Sequence, residues 1–219
     1  MSTGQTEPAD GMRVRNRWGE GRRLREEILE AADRLLGQAR NPEEVSLRAI
    51  AREAGIAAPS VYKHFRDKSQ LMWTLLDGVY DDLAETMRAA AKSAPPGDSW
   101  AALRATVDAY CLFATRQRQR YQLIFLIGPV LSDPPAFEEY PHKHVARAWN
   151  EVVEAYLADP AVTPAGACGT GLLSGDDVTR LLWTGLHGQF GLGWSLTYEP
   201  GYLLDRARDG LLLALFGRT

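Results

Sequence analysis

Between Ser46 and Phe65 the chain has room for two short helices and little else. Ser46 is placed to cap the first, whose Leu47, Ile50, Ala51 and Ala54 fall on one face. Gly55 stops it, because glycine takes the left-handed turn that ends a helix at no steric cost. Pro59-Ser60 opens the second, since proline is tolerated in a first turn, and Val61 and Phe65 point inward with Ile56. Helices this short are not stable alone. They must pack on longer neighbours, and the sequence supplies two. An amphipathic helix over 22–37 carries Ile28, Ala31, Ala32, Leu35 and Leu36, with Gly37 placed to end it before the Asn41-Pro42 loop. After a break read at Asp67-Lys68-Ser69, a fourth helix over 70–92 carries Leu71, Leu75, Val79, Leu83 and Met87. Two short helices joined by a tight glycine turn form the helix-turn-helix arrangement.

If Ile56, Val61 and Phe65 face the core, the opposite face of the third helix shows Ala58, Ser60, Tyr62, Lys63 and His64. Small residues at its start allow close approach to a groove, and hydroxyls and a lysine can reach phosphates and base edges. Net charge over the whole chain is −3, but the sign is uneven. Residues 1–70 hold 13 Lys+Arg against 11 Asp+Glu, whereas residues 71–219 hold 12 against 17. Arg13, Arg15, Arg17, Arg22, Arg23 and Arg25 cluster with the single acid Glu20. A basic flexible arm over 1–20 ahead of a compact domain suits a phosphate backbone or minor groove.

The stretch from Ile28 to Leu83, with "ILEAADRLL" and "SLRAIAREAGIAAPSVYKHFRDKSQLM", resembles the N-terminal domain of the tetracycline-repressor (TetR) family. The densest part of the match runs from Gly55 to Lys68 and includes Tyr62, Phe65 and Lys68. The resemblance implies that Ser46 contacts a phosphate, that Arg48 reaches a base, and that Ala58, Pro59, Ser60, Tyr62, Lys63 and His64 face the groove. It also implies that Lys68 clamps a phosphate. Ala58 offers no hydrogen bond there and is left with van der Waals contact to a thymine methyl.

Beyond Ala94-Pro95-Pro96-Gly97, helical periodicity continues over about 99–116, 117–127, 136–158, 176–196 and 201–216. "GPVLSDPP" reads as a loop, and residues 159–175 read as a flexible one. No strand pattern or internal repeat appears. The expected fold is all-α, with about nine helices: a three-helix DNA-binding domain over 21–69 and a larger helical domain over 70–219. The last two helices carry more apolar surface (Leu181, Trp183, Leu186, Phe190 and Leu192, then Leu203, Leu204, Leu211, Leu212, Leu213, Leu215 and Phe216) than one face needs, which favours a homodimer through 176–196 and 201–216. Trp183, His187 and Gly188 resemble the tryptophan–histidine–glycine (WHG) signature of one C-terminal subgroup of the family. Tyr110, Phe113, Tyr121, Phe125, Trp149, Trp183 and Phe190, with His187 and His144 as polar members, are expected around an effector cavity.

Other classes fare worse. There is no run of about 18 apolar residues and no secretion signal over Met1 to Glu20, so a cytoplasmic protein is expected. Cys111 and Cys168 stand far apart without metal-ligand spacing. His142 and His144, two apart on a helix, point in different directions, which argues against a metal-dependent enzyme. No phosphate loop, nucleophile elbow or H-E-x-x-H motif occurs. The expected partners are duplex operator DNA, a second copy and a small apolar or aromatic effector, with no cofactor. A constitutive DNA-binding regulator without an effector is the alternative.

Overall fold

In a computed structural model, residues 20–39, 42–126, 139–195 and 200–219 are described. They form nine α-helices and no strand among the described residues: α1 (Glu20–Gln38), α2 (Leu47–Glu53), α3 (Ala58–Val61), α4 (Lys68–Ser93), α5 (Ser99–Arg116), α6 (Arg118–Leu126), α7 (Lys143–Leu157), α8 (Gly175–Ser195) and α9 (Pro200–Phe216). The basic arm, apart from Glu20, and the expected "GPVLSDPP" loop lie outside the described residues. So do the side chains of Leu203 and Leu204.

The small domain forms as its caps dictate. Ser46 Oγ accepts the Ala49 amide at 3.2 Å and starts α2. Gly55 then turns the chain at φ +67°, and Ile56 N–H closes the turn on Ala51 O at 2.9 Å. The third helix is shorter than its pattern suggests: regular helix ends at Val61, and Lys63 and His64 continue it with tighter three-residue bonds to Ser60 O and Val61 O. Val61 and Phe65 are wholly buried, and Ile56 packs partly buried beside them. Asp67 is a cap rather than a breaker: its carboxylate accepts the Gln70 amide at 2.8 Å, so α4 begins at Lys68. The boundary expected between 69 and 70 therefore falls inside the first turn of α4.

α4 is the shared wall of both parts. Leu71, Leu75, Val79, Leu83 and Met87 form the expected buried stripe, and Met72, Leu76, Tyr80 and Ala84 form a second. Between them the helix packs against α1, α5, α6 and α7. Arg88 grips Glu151 of α7 at 2.8 and 3.2 Å. Arg120 of α6 lies 3.1 Å from Asp33 of α1 and 2.8 Å from Asp82 of α4, joining three helices with one guanidinium. Gly37 serves this junction instead of ending its helix, because α1 runs on to Gln38. A Cβ on Gly37 would stand 3.2 Å from Gln119 Oε1, so glycine lets α6 approach.

Two further expectations are corrected. The helix read from Ala136 starts at Lys143, because Pro141 lacks the amide and its ring blocks the helical path through it. Residues 159–175 are not simply a flexible loop: a 3₁₀ turn over Gly166–Thr170 packs on α9, with Val162, Ala167, Cys168 and Leu173 partly buried against the core. Asp98 caps α5, and Ser174 with Asp177 caps α8 reciprocally.

Replacing Gly55 by Ala forces a side chain into the left-handed region and is expected to cost about 1–2 kcal/mol. Thermal melts should show a midpoint lower by roughly 2–8 °C for a chain of this size. An unchanged midpoint would mean that the turn has relaxed to another geometry.

Candidate functional site

The outer surface of α2 and α3 carries the first candidate site. Ser46, Arg48, Pro59, Tyr62 and Lys63 are exposed, and Ala58, Ser60 and His64 are half-buried. Tyr62 is 56% exposed although its neighbour Val61 is fully buried, so its ring is presented to the outside rather than packed. Lys68 stands apart: its ammonium donates to Glu43 O at 2.8 Å, and burial lowers its pKa. That bond ties the start of α4 to the Pro42–Glu44 turn ahead of α2. Arg25, counted with the basic cluster, turns onto the domain, its guanidinium 4.9 Å above the Phe65 ring.

The second candidate site lies in the larger domain. The aromatic residues expected to enclose a cavity instead close on one another. Tyr110 meets Tyr121, Trp149 and Phe190 at ring separations of 5.7, 5.3 and 6.3 Å. Phe125 stacks on His187 at 3.8 Å, nearly parallel. Phe113 is buried on α5 without a ring contact to this group among the described residues. His144 lies outside it, on α7, 3.1 Å from Asp77 and 3.5 Å from Asp81 of α4.

A chain of hydrogen bonds runs through the cluster. Trp183 Nε1–H donates to Tyr110 Oη at 3.1 Å, the two tyrosine hydroxyls meet at 2.5 Å, and Tyr121 Oη lies 2.7 Å from His187 Nδ1. Indole can only donate, so Tyr110 accepts from Trp183, and both tyrosine hydroxyls reach the imidazole, Tyr110 Oη lying 3.2 Å from His187 Nδ1. His187 is then neutral, and burial pushes its pKa down to about 4. Burial raises the pKa of both phenols.

Beside this cluster a cavity of about 570 Å³ opens between α7 and α8. Tyr140, His142 and Asn150 line it from one side, and Thr179, Arg180 and Trp183 of α8 from the other. Of the eight residues expected to form an effector pocket, only Trp183 is on its wall. The sequence reading missed Tyr140, Asn150 and Thr179. The available signal was the spacing of Asp176, Thr179, Arg180, Trp183 and Thr184, which puts five non-aliphatic side chains on one face of an otherwise greasy helix. Tyr140 packs edge-on against Trp73 of α4 at 5.2 Å, so the cavity wall touches the helix that carries the small domain. Among the described residues no helix is long and apolar enough to cross a membrane, and no three His, Cys, Asp or Glu side chains converge as metal ligands.

A short helix-turn-helix unit held on a long helix and joined to a larger all-helical domain is an architecture of transcriptional regulators. Residues 28–72 match the family described as "Bacterial regulatory proteins, tetR family", and residues 103–207 match "Tetracyclin repressor-like, C-terminal domain". Together these cover more than half of the sequence, and the chain belongs to the tetR family of bacterial regulatory proteins. Neither description separates out the tryptophan–histidine–glycine subgroup, which rests on Trp183, His187 and Gly188 alone. Solved structures agree in fold. A protein of unknown function from Rhodococcus sp. RHA1 is 18% identical with a TM-score of 0.69, covering 95% of this chain and 100% of that one. A TetR-family transcriptional regulator from Streptomyces coelicolor is 20% identical with a TM-score of 0.63, over 89% and 96%. FadR from Bacillus subtilis, in complex with stearoyl-CoA, is 12% identical with a TM-score of 0.65, over 89% and 99%.

The pH dependence of folding tests the His187 assignment. The folded pKa of about 4 lies below the unfolded value of about 6.5, so the unfolded chain takes up the proton first as pH falls. The contribution of neutral His187, on the order of 3 kcal/mol, is complete above about pH 6.5 and is lost towards pH 4. Melts of wild type and His187→Gln should diverge across that window, with the variant falling less. Parallel curves would show that His187 is not held neutral.

Proposed function

We propose that the protein is a ligand-responsive repressor that binds a palindromic operator as a homodimer. The observation that carries this reading is the outward face of α3. Tyr62, Lys63 and Pro59 are exposed on a unit whose Val61 and Phe65 are fixed in the core, so the reading surface is rigid without being covered. Such a unit is too small to read a long site alone, and two copies about one helical turn apart (roughly 34–36 Å) supply the rest. Duplex DNA is contacted through Ser46, Arg48, Ala58, Pro59, Ser60, Tyr62, Lys63 and His64. Lys68 can hold the Glu43 carbonyl and still offer its remaining N–H donors to a phosphate.

The second copy docks on α8 and α9. Leu181, Leu192 and Leu213 are 46%, 58% and 55% exposed, and no heavy atom lies within 4 Å of a Cβ built on Gly188. This leaves an apolar strip with shallow places for a partner helix. The effector, a small apolar or aromatic molecule, enters between α7 and α8. Displacing Tyr140 then displaces Trp73, within two turns of the start of α4, and shifts the spacing of the two reading units. Repression is relieved to the extent that the effector binds the shifted state more tightly. The closed aromatic cluster around Tyr110 favours a second reading, a constitutive regulator without an effector. The cavity beside it supports the first.

Tyr62→Ala should abolish binding to an operator selected from random duplexes while leaving the melt unchanged; a folded variant that still binds would sink the reading surface. Arg48→Ala should relax preference at particular bases. Lys68→Ala should weaken all sequences alike and lower the slope of log affinity against log salt by about 1. A Leu181→Glu, Leu213→Glu variant should sediment as a monomer and lose operator affinity. A dimer that persists would move the interface elsewhere.

A further inference from the structure

Six threonines lie on α-helices among the described residues. Five of them, Thr74, Thr86, Thr106, Thr115 and Thr184, return the hydroxyl proton to the carbonyl four residues back, at 2.7–3.0 Å. Thr179 does not. Its Oγ1 has no hydrogen-bond partner among the described residues, and the residue is only 6% exposed. A buried hydroxyl without a partner costs about 1–3 kcal/mol, so leaving it unpaired needs a reason. The reason is its position. Thr179 and Asn150 both line the cavity between α7 and α8.

The rest of that wall defines what it can pair with. Tyr140 and Trp183 are aromatic and Ala146 is small, while His142, whose ring lies at 25° to Trp183, has its pKa lowered by burial and is uncharged at neutral pH. The two ionised members, Arg180 and Asp176, are exposed, of opposite sign and one turn apart on α8. On the adjoining outer face of α7, Lys143 and Arg147 are likewise matched by Glu151 and Glu154. An ion drawn between the two helices would give up part of its water without meeting a net counter-charge. A neutral group would lose little and gain a hydrogen bond.

Resting on the ligand-responsive reading above, we propose that this cavity takes an uncharged, flat, apolar molecule whose hydroxyl or carbonyl oxygen hydrogen-bonds Thr179 and Asn150. The apolar body lies against Tyr140 and Trp183, and the oxygen satisfies the hydroxyl that the helix leaves unpaired. A multiply charged thioester such as the stearoyl-CoA bound by the Bacillus subtilis protein does not fit this chemistry.

The test uses the whole protein and three probes: 2-naphthol, which is neutral at pH 7, the 2-naphthoate anion, and palmitoyl-CoA. Calorimetry should show 2-naphthol binding, with 2-naphthoate and palmitoyl-CoA at least tenfold weaker. Thr179→Val should weaken 2-naphthol by about tenfold and yet raise the thermal midpoint by about 2–4 °C, because it removes an unpaired buried polar group. Thr179→Ser, which keeps the hydroxyl, should restore most of the affinity. The proposal is overturned by tighter binding of either anion, by no binding of 2-naphthol, or by a Thr179→Val variant that binds as wild type does. Operator binding by the same preparations separates the two claims. If the operator is bound and 2-naphthol is not, only the ligand class fails; if selection finds no operator, the regulator reading fails.

Discussion

A helix buried on two sides cannot be moved without moving what it touches, and α4 is such a helix. Its adjacent stripes, one led by Leu71 and the other by Met72, are dry along most of its length. Rotating it by one residue would expose several large side chains at about 1.5–3 kcal/mol each. Sliding or tilting it as a body keeps both stripes buried. The helix is therefore stiff against twist and yields along its axis, and a stiff rod is what allows a disturbance at Trp73 to be felt at Asp67, where the reading unit is attached. The caps at Asp67 and Ser46 keep that attachment short, with few loose residues between the rod and the surface it positions.

The aromatic cluster has a different role from the one its composition suggests. Its hydrogen bonds join Trp183, Tyr110, Tyr121 and His187 into one connected group. They bind α5, α6 and α8 together at depth, where a polar network fixes relative position more tightly than greasy contact does. Trp183 belongs both to this network and to the cavity wall. A molecule entering the cavity would lean on a residue already tied to two other helices, one of which, α6, reaches α1 through Arg120.

Much of this was legible in the sequence. The two short helices, the Gly55 turn and the stripe on α4 follow from residue spacing, because apolar periodicity and backbone rules act locally. Aromatic richness at Tyr110, Tyr121, Trp149 and Phe190 correctly placed those residues at the centre of the large domain. Whether rings fill a space or surround one depends on how helices from distant parts of the chain meet, and spacing does not carry that information. Gly37 misled for the same reason: a glycine near a helix end reads as a stop signal, but its partner Gln119 lies 82 residues away. Pro141, by contrast, was a local signal that outranked the hydrophobic pattern running through it.

Arg120 carries one more consequence. A single guanidinium faces two carboxylates, Asp33 on α1 and Asp82 on α4, and all three side chains are partly open to solvent. Mobile ions screen such a bridge, and in the proposed DNA complex they would also compete for the phosphates. Raising ionic strength would then loosen the joint between the helix-turn-helix unit and its support at the same time as it weakened the proposed grip on DNA. A count of phosphate contacts taken from the salt slope of the intact protein would include this internal bridge, and the protein would look more deeply engaged with the duplex than its own surface allows.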